Sequence, residues 1–384
     1  MKAIVNGKLI LKDGTAEGKA ILFDEKIVDI VDEEQLDTLK FDEIIDARGE
    51  YVAPGLVDIH IHGYLGAEAG EDTDNSVRTM AEGIVKNGVT SFLPTTMTVA
   101  KKDIEASLES IRTLKAASEK EDWAGARVLG ANVEGPFINP AKKGAQAEEN
   151  IIAPDASFAK KFADVIKIIT IAPEMDKDFE CIKEVKRDTD ILISMGHTGA
   201  DYDTAVKGVE NGVGHVTHLF NAMTALQHRE PGVVGAALAT DVTVEVIADT
   251  FHINPALYNV VYKMKGDKMI LITDCVRAGG LSDGEYTLGG QKITVNGIEC
   301  RLEDGTIAGS VLRLNEAVRN VRNHTDIPLH LIVNAASLSP AKAIGEDCRK
   351  GSLEINKDAD IVIMDKDFAV QKTFVGGVCR YSKN

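Results

Sequence analysis

Along residues 1–53, short apolar runs alternate with turn residues. AIVNGKLI and KAILFDEKIVDIV are separated by KDGT, and the turn signal NGK interrupts the first of them. Such runs predict short β-strands joined by tight turns. Residues 355–384 have the same texture, in KDADIVIMDKD and FAVQKTFVGGVCRY. Neither end holds enough apolar residues for a core of its own. The pattern therefore predicts that 1–53 and 355–384 pair into one small, discontinuous β-sandwich domain, with residues 54–354 inserted between its halves.

The middle of the chain has a different rhythm. Eight apolar runs recur: GLVDIHIH, TSFLPTT, RVLGANVEGP, VIKIITIAPE, ILISMGH, GVGHVTHLF, TVEVIAD and KMILITD. Most are continuous rather than alternating, as expected of parallel strands covered on both faces. Between several of them, stretches such as DNSVRTMAEGIVKNG and DIEASLESIRTLKAASE carry apolar residues at helical spacing. Eight strands alternating with helices predict an α/β fold, a (β/α)8 TIM-type barrel over residues 54–354. A doubly wound open sheet is the alternative, but no glycine-rich phosphate loop follows the first strand. Beyond the eighth run, YTLGGQKITVNGIECRLEDGTIAGS predicts a hairpin-like insertion. SLSPAKAIG then predicts a helix with Pro340 in its first turn.

Composition narrows the function. The 384 residues are 44% hydrophobic and 27% charged, an ordinary globular balance, and the formal net charge is −17. That charge argues against a nucleic-acid partner, whose phosphates require a basic surface. The opening MKAIVNGKLILKDG lacks a signal-peptide layout, and no apolar run is long enough to span a bilayer. Five scattered cysteines without a CxxC indicate reduced thiols, with neither a disulfide framework nor a zinc–cysteine site. The expectation is a cytoplasmic protein without a membrane partner.

The polar residues of the eight runs cluster. His60 and His62 end the first, Glu134 the third, His197 the fifth, His218 the sixth and Asp274 the eighth, and His252 follows the seventh. Residues two apart on a strand share a face, so His60 and His62 can converge on one ion, although an HxH pair alone is a weak signal. In a barrel the C-terminal strand ends form one mouth, where active sites are built. A nitrogen and oxygen donor set without thiolate suits a divalent metal: zinc, or iron, manganese or cobalt. Such a metal lowers the pKa of bound water to near 7, and Asp274 is placed to take its proton and pass it on. The competing reading of Asp274 is a helix N-cap. His215 and His218 are three apart and cannot share one face of a regular strand; strand-end position favours His218. His215, His324 and His330 read as structural.

The segments APGLVDIHIHG, VEGPFINPAKKGA, MGHTGADY, VTHLFNAM, REPGVVGA, IADTFHINP, LITD, DGTIAGS and KDADIVIMD run nearly the length of the chain. Together they resemble the amidohydrolase superfamily and, within it, the N-acetylglucosamine-6-phosphate deacetylases. HxH is shared by many hydrolases, whereas EGPF together with THLFNAM is far more specific. The resemblance implies that Glu134, His197 and His218 bind the main metal, and that His60 and His62 form a second site with Glu134 able to bridge the two ions. It implies Asp274 as general base and acid. It further implies that Asn221, Ala222, Arg229 and His252 contact a phosphosugar, with the phosphate end completed across a homodimer interface. Ser310 and Leu312 are expected close to the sugar or acetyl group. The fourth strand ends TIAPE, and its lysine, Lys167, lies near its beginning. That placement speaks against relatives that bridge two metals with a carboxylated lysine there, such as dihydroorotases and hydantoinases. One departure is Gln146, in KKGAQ, where many members have histidine. Gln146 is expected to position the sugar or amide without carrying a proton. The implied reaction is hydrolysis of the acetamide of N-acetyl-D-glucosamine 6-phosphate. The alternatives are the N-acetylgalactosamine epimer, another amidohydrolase reaction, or a non-catalytic scaffold.

Overall fold

The structure is a computed structural model that describes residues 1–38 and 40–383. Eight parallel strands follow one another around a barrel: β1 (Leu56–Ile61), β2 (Val89–Thr96), β3 (Ala131–Phe137), β4 (Ile166–Ile171), β5 (Leu192–Met195), β6 (His215–Val216), β7 (Thr243–Ile247) and β8 (Met269–Ile272). Every residue of β1, β2, β3 and β8 is buried, so apolar residues stand on both faces of these strands. The helix Lys101–Ser118 turns Ile104, Leu108, Ile111 and Leu114 inward at a spacing of three and four. Full burial of each such side chain contributes roughly 1.5–3 kcal/mol.

Most strands are shorter than their apolar runs, and two depart furthest from them. RVLGANVEGP divides into Arg127–Val128, paired with β2, and β3 itself. Gly130 sits between them at φ 152°, where an added Cβ would lie 2.6 Å from the Val165 carbonyl oxygen. GVGHVTHLF pairs only at His215 and Val216, because the chain turns into the left-handed region at His218 (φ 28°).

The barrel closes at the mouth. β1 and β8 meet through a parallel bridge between Ile61 and Cys275. The Asp274 N–H donates to the His60 carbonyl at 2.8 Å, and the N–H groups of His62 and Gly63 both donate to the Cys275 carbonyl at 2.9 Å. Below them the Thr273 hydroxyl donates to Asp58 at 2.6 Å. The seam of the barrel thus joins His60, His62 and Asp274.

The termini build the small sandwich. One sheet runs Ile27–Asp32, Lys19–Phe23, Lys2–Val5, Glu43–Asp46; the other runs Val378–Ser382, Val370–Val375, Ile361–Met364, Tyr51–Pro54, Lys8–Leu11, Gly14–Ala16. Ile361–Met364 pairs antiparallel with Tyr51–Pro54, so the two ends of the chain share a ladder. Ile4, Leu9, Ile21, Phe23, Val52, Ile361 and Phe374 fill the core between the sheets. The insertion after β8 is a three-stranded antiparallel sheet, Gly284–Leu288, Gln291–Asn296 and Glu299–Leu302, packed on Met97 and Val276 beside the barrel mouth. Pro340 lies in the first turn of the helix Leu338–Ala343. Among the described residues, no helix is long and apolar enough to cross a membrane.

Candidate metal centre

At the C-terminal ends of the strands a cavity of about 420 Å³ is lined by His62, Glu134, Gln146, His197, His218, Asn221, Ala222, His252 and Asp274. His60 lies beneath this wall, fully buried. Two donor groups face each other there: His60, His62 and Asp274, and Glu134, His197 and His218. His60 Nε2 and His62 Nε2 are 3.3 Å apart, and His197 Nε2 and His218 Nε2 are 3.1 Å apart. Glu134 stands between the groups. Its Oε1 is 2.9 Å from His218 Nε2, 3.1 Å from His197 Nε2 and 3.5 Å from His60 Nε2, while its Oε2 is 3.1 Å from His62 Nε2. Asp274 Oδ1 lies 3.2 Å from His62 Nε2.

The far nitrogens of the rings decide what these contacts mean. His62 Nδ1 faces the Thr95 carbonyl at 3.2 Å, and His197 Nδ1 faces the Lys142 carbonyl at 2.9 Å. His60 Nδ1 faces Glu245 Oε2 at 2.9 Å. Each of these partners only accepts, so a ring that binds a cation through Nε2 keeps its proton on Nδ1 and turns the Nε2 lone pair inward. Three such lone pairs aimed at two carboxylates repel unless protons or a cation stand between them. Tetrahedral ligands about 2.0–2.1 Å from a zinc ion lie about 3.3 Å apart, close to the nitrogen–nitrogen separations found here. The donors fit a divalent metal.

The electrostatics agree. Burial opposes a charge on Glu134, yet His60 and His197 hold its carboxyl well below the usual range. Burial likewise disfavours a charged His62, but its hydrogen bonds to Asp274 and Glu134 raise it to about 9. Beneath the site, burial pushes the Asp58 carboxyl up to about 7 against the hydrogen bond from Thr273. The pocket stabilises positive charge at the point where the lone pairs meet.

Backbone strain aims several of these groups. His197 (φ 46°), His218 (φ 28°), Phe220 (φ 82°), Ala222 (φ 51°) and Asp274 (φ 51°) all occupy the left-handed region. Each such residue costs on the order of 1–3 kcal/mol and persists only where its surroundings over-determine it. Around His218 the constraint comes from its N–H to Glu245 Oε2 at 2.9 Å, Leu219 N–H to the Glu245 carbonyl at 2.9 Å and Thr198 N–H to the Ala222 carbonyl at 3.1 Å.

The remaining expected residues divide. His252 lines the cavity with Nδ1 held by Asp249 at 2.6 Å, leaving Nε2 to face a ligand. Asn221 directs its amide N–H groups at the carbonyls of His218 and Leu219, both at 3.3 Å. Gln146 has both polar ends engaged by protein: Nε2 donates to Glu134 Oε2 at 2.6 Å and Oε1 accepts the Thr98 N–H at 2.7 Å. In this structure it braces Glu134. Three residues stand off the cavity wall. Arg229 lines a neighbouring cavity of about 610 Å³, to which Lys142 also contributes. Ser310 is buried and donates to the Thr273 carbonyl at 2.6 Å, so it secures the strand end that carries Asp274. Leu312 faces a third cavity beside Asp249. Gly309 and Ile307 of the same loop reach the wall in their place. Two groups at the site went unread in the sequence. Lys142 touches both cavities, and no feature of KKGAQ distinguishes it from Lys143. Glu245 does carry a signal: it is a charge flanked on both sides by the apolar residues of VEVIA.

A barrel whose mouth gathers imidazoles and carboxylates at the strand ends has the architecture of a metal-dependent hydrolase. The chain belongs to the amidohydrolase family, which matches residues 51–379. It is 43% identical to an N-acetylglucosamine-6-phosphate deacetylase of Bacillus subtilis, over 87% of this chain and 86% of that one. The crystal structure of the enzyme of that name from Pasteurella multocida superimposes with a TM-score of 0.92, at 31% identity over 98% of both chains. A mutant of the Mycobacterium smegmatis N-acetyl-D-glucosamine-6-phosphate deacetylase, solved in complex with N-acetyl-D-glucosamine 6-phosphate, superimposes with a TM-score of 0.89. That pair is 26% identical over 99% of both chains.

Proposed function

We propose that this chain hydrolyses the acetamide of N-acetyl-D-glucosamine 6-phosphate, releasing acetate and D-glucosamine 6-phosphate for amino-sugar catabolism. The substrate is inferred from the relatives. The chemistry rests on one observation: the Nε2 atoms of His60, His62, His197 and His218 gather around the Glu134 and Asp274 carboxylates in a buried cavity. Glu134, His197 and His218 would hold one divalent ion, and His60 and His62 a second that shares Glu134. Zinc is the first choice, with iron, manganese or cobalt as alternatives. A bound ion of this kind supplies Lewis acidity toward water and the amide carbonyl.

The chain's own groups do the rest. Asp274 accepts the proton of the attacking water at a carboxylate oxygen and returns it to the departing amine nitrogen. The Asp274 carboxyl suits the first step: burial opposes its charge, yet its hydrogen bond with His62 holds it below the usual range, so it is ionised at neutral pH. Gln146 lines the cavity and fixes Glu134, its amide nitrogen also meeting Met97 Sδ at 3.8 Å. Asn221, Ala222 and His252 face the sugar from the β6 and β7 loops. A phosphate requires fixed cations. Among the described residues neither Lys142 nor Arg229 makes an ion pair, so both remain free for it. Because Arg229 faces outside its own metal-bearing cavity, a homodimer in which each copy completes the other's phosphate end is the assembly we favour. Ser310 and Leu312 act from behind the loop of Gly309.

The test is acetate release by metal-reconstituted protein from the N-acetylglucosamine and N-acetylgalactosamine 6-phosphates, with metal content measured on the same sample. The expected result is bound metal and a marked preference for the gluco epimer. Preference for the galacto epimer would reassign the substrate, and metal-loaded protein inert toward both would refute deacetylation.

A further inference from the structure

Glu245 lies at the centre of β7 with no solvent exposure. A lone buried carboxylate is costly unless it is paired and hydrogen-bonded. Among the described residues no lysine or arginine pairs with Glu245. Three N–H groups from three points of the chain reach it instead. His60 Nδ1 and the His218 backbone N–H both meet Oε2 at 2.9 Å, and His215 Nε2 meets Oε1 at 3.1 Å. His215 is held in turn by Thr243 Oγ1 at 2.6 Å.

These contacts reach both donor groups of the centre. His60 belongs to the group with His62 and Asp274, and His218 to the group with Glu134 and His197. For His60, Glu245 is the partner behind the ring, so it sets the tautomer that presents Nε2. For His218 the ring has no such partner, since its Nδ1 is buried without a hydrogen bond. Its position depends on the strained main chain, which Glu245 anchors. Carboxylates behind metal-facing imidazoles orient the ring and raise its basicity.

We infer that Glu245 is a positioning residue of the metal centre, fixing the His60 ring and the His218 main chain from behind. His215 is its buttress. The inference rests on the metal reading given above and goes beyond it in assigning the group that pre-organises the ligands. It also distinguishes the two donor groups. Charge on Glu245 acts through the imidazole of His60, whereas at His218 it meets only a peptide N–H. Removing the charge while keeping the shape should therefore weaken the His60/His62 site selectively.

Glu245→Gln does this. The amide oxygen in the place of Oε2 still accepts from His60 and His218. The amide N–H in the place of Oε1 can donate to His215 Nε2 once that ring carries its proton on Nδ1, facing Thr243 Oγ1. Metal-stripped native and variant proteins are titrated with zinc against a chromophoric chelator, and folding is followed by thermal melting. We expect native protein to take up two ions. In the variant, affinity at one site should fall roughly 10–100-fold, with the other within about threefold of native and melting still cooperative. Two affinities unchanged, or two reduced equally, would overturn the inference while leaving the metal reading intact. Native protein that takes up no zinc would overturn both. If the variant does not fold, histidine NMR of the native zinc-loaded protein decides: a His60 proton on Nδ1 supports the inference, and one on Nε2 refutes it.

Discussion

Two of the buried clusters of ionisable side chains among the described residues differ in what they leave unsatisfied. Where the chain passes from the barrel to the sandwich, Lys350 is 2% exposed. Its Nζ meets Asp360 at 2.8 Å and Asp358 at 3.0 Å. Asp358 also takes Arg349 at 2.9 Å, and Asp360 accepts the Gly376 N–H at 2.8 Å. Arg349 pairs with Glu119 as well, at 3.0 Å, so each cation of the cluster faces carboxylates and each carboxylate a cation. At the barrel mouth, the Nε2 atoms of four imidazoles crowd around Glu134 and Asp274 with no fixed cation among them. The first cluster is complete as protein and holds two segments together. The second is complete only when protons or metal ions fill it. A buried charge cluster marks a binding site when its donors are mutually repulsive, and a structural joint when they are matched.

The sharpest way to break this comparison is Asp274→Asn. It should leave the protein folded and lower kcat by about 10²–10⁴-fold, because the proton acceptor is lost; steady-state assay of the metal-loaded variant checks this. Activity retained within tenfold would remove Asp274 from the reaction. The complementary change at the structural joint is Lys350→Met, which leaves the buried Asp360 without a cation and Asp358 with Arg349 alone. It should cost about 3–5 kcal/mol in denaturant unfolding while zinc stoichiometry stays at the native value. Metal loss in that variant would show that the clusters are not independent.

The smallest expected effect concerns pH. In metal-free protein His62 is raised to about 9 from an ordinary value of 6.5, with burial opposing and the hydrogen bonds to Asp274 and Glu134 prevailing. A raised group contributes stability that is fully present below about 6.5 and is lost as pH rises through about 9. Asp58, raised from 3.8 to about 7 by burial, acts in the same direction but at lower pH, its contribution being lost as pH rises from about 3.8 through about 7. The melting temperature of stripped protein should therefore decline between pH 6.5 and 9, and zinc should flatten that decline by replacing the proton. A stripped protein equally stable across this window would show that the mouth holds no proton in the absence of metal.

Much of this was legible in one dimension. Continuous apolar runs marked barrel strands because both faces of each strand are covered. His60, Glu134, His197 and Asp274 could be gathered because strand ends in a parallel barrel share one mouth. Legibility ended where contacts were not set by strand order. Glu245 sits inside TVEVIAD and reads as one polar residue in a strand, although His60, 185 positions away, depends on it. Arg229 and Leu312 come from motifs that resemble substrate loops, yet their side chains face neighbouring cavities. The turn at His218 depends on hydrogen bonds from β7 that no local pattern displays.

The sequence by itself determined the barrel, the sandwich built from both ends and the donor types at the mouth, because hydrophobic periodicity and residue chemistry are properties of the chain alone. Tertiary structure decided which nitrogen of each histidine faces inward, which residues reach the cavity wall and how β8 closes against β1. Those choices depend on hydrogen-bond partners far away in sequence. A ring orientation is fixed only when the acceptor behind it is in place, and folding is what puts it there.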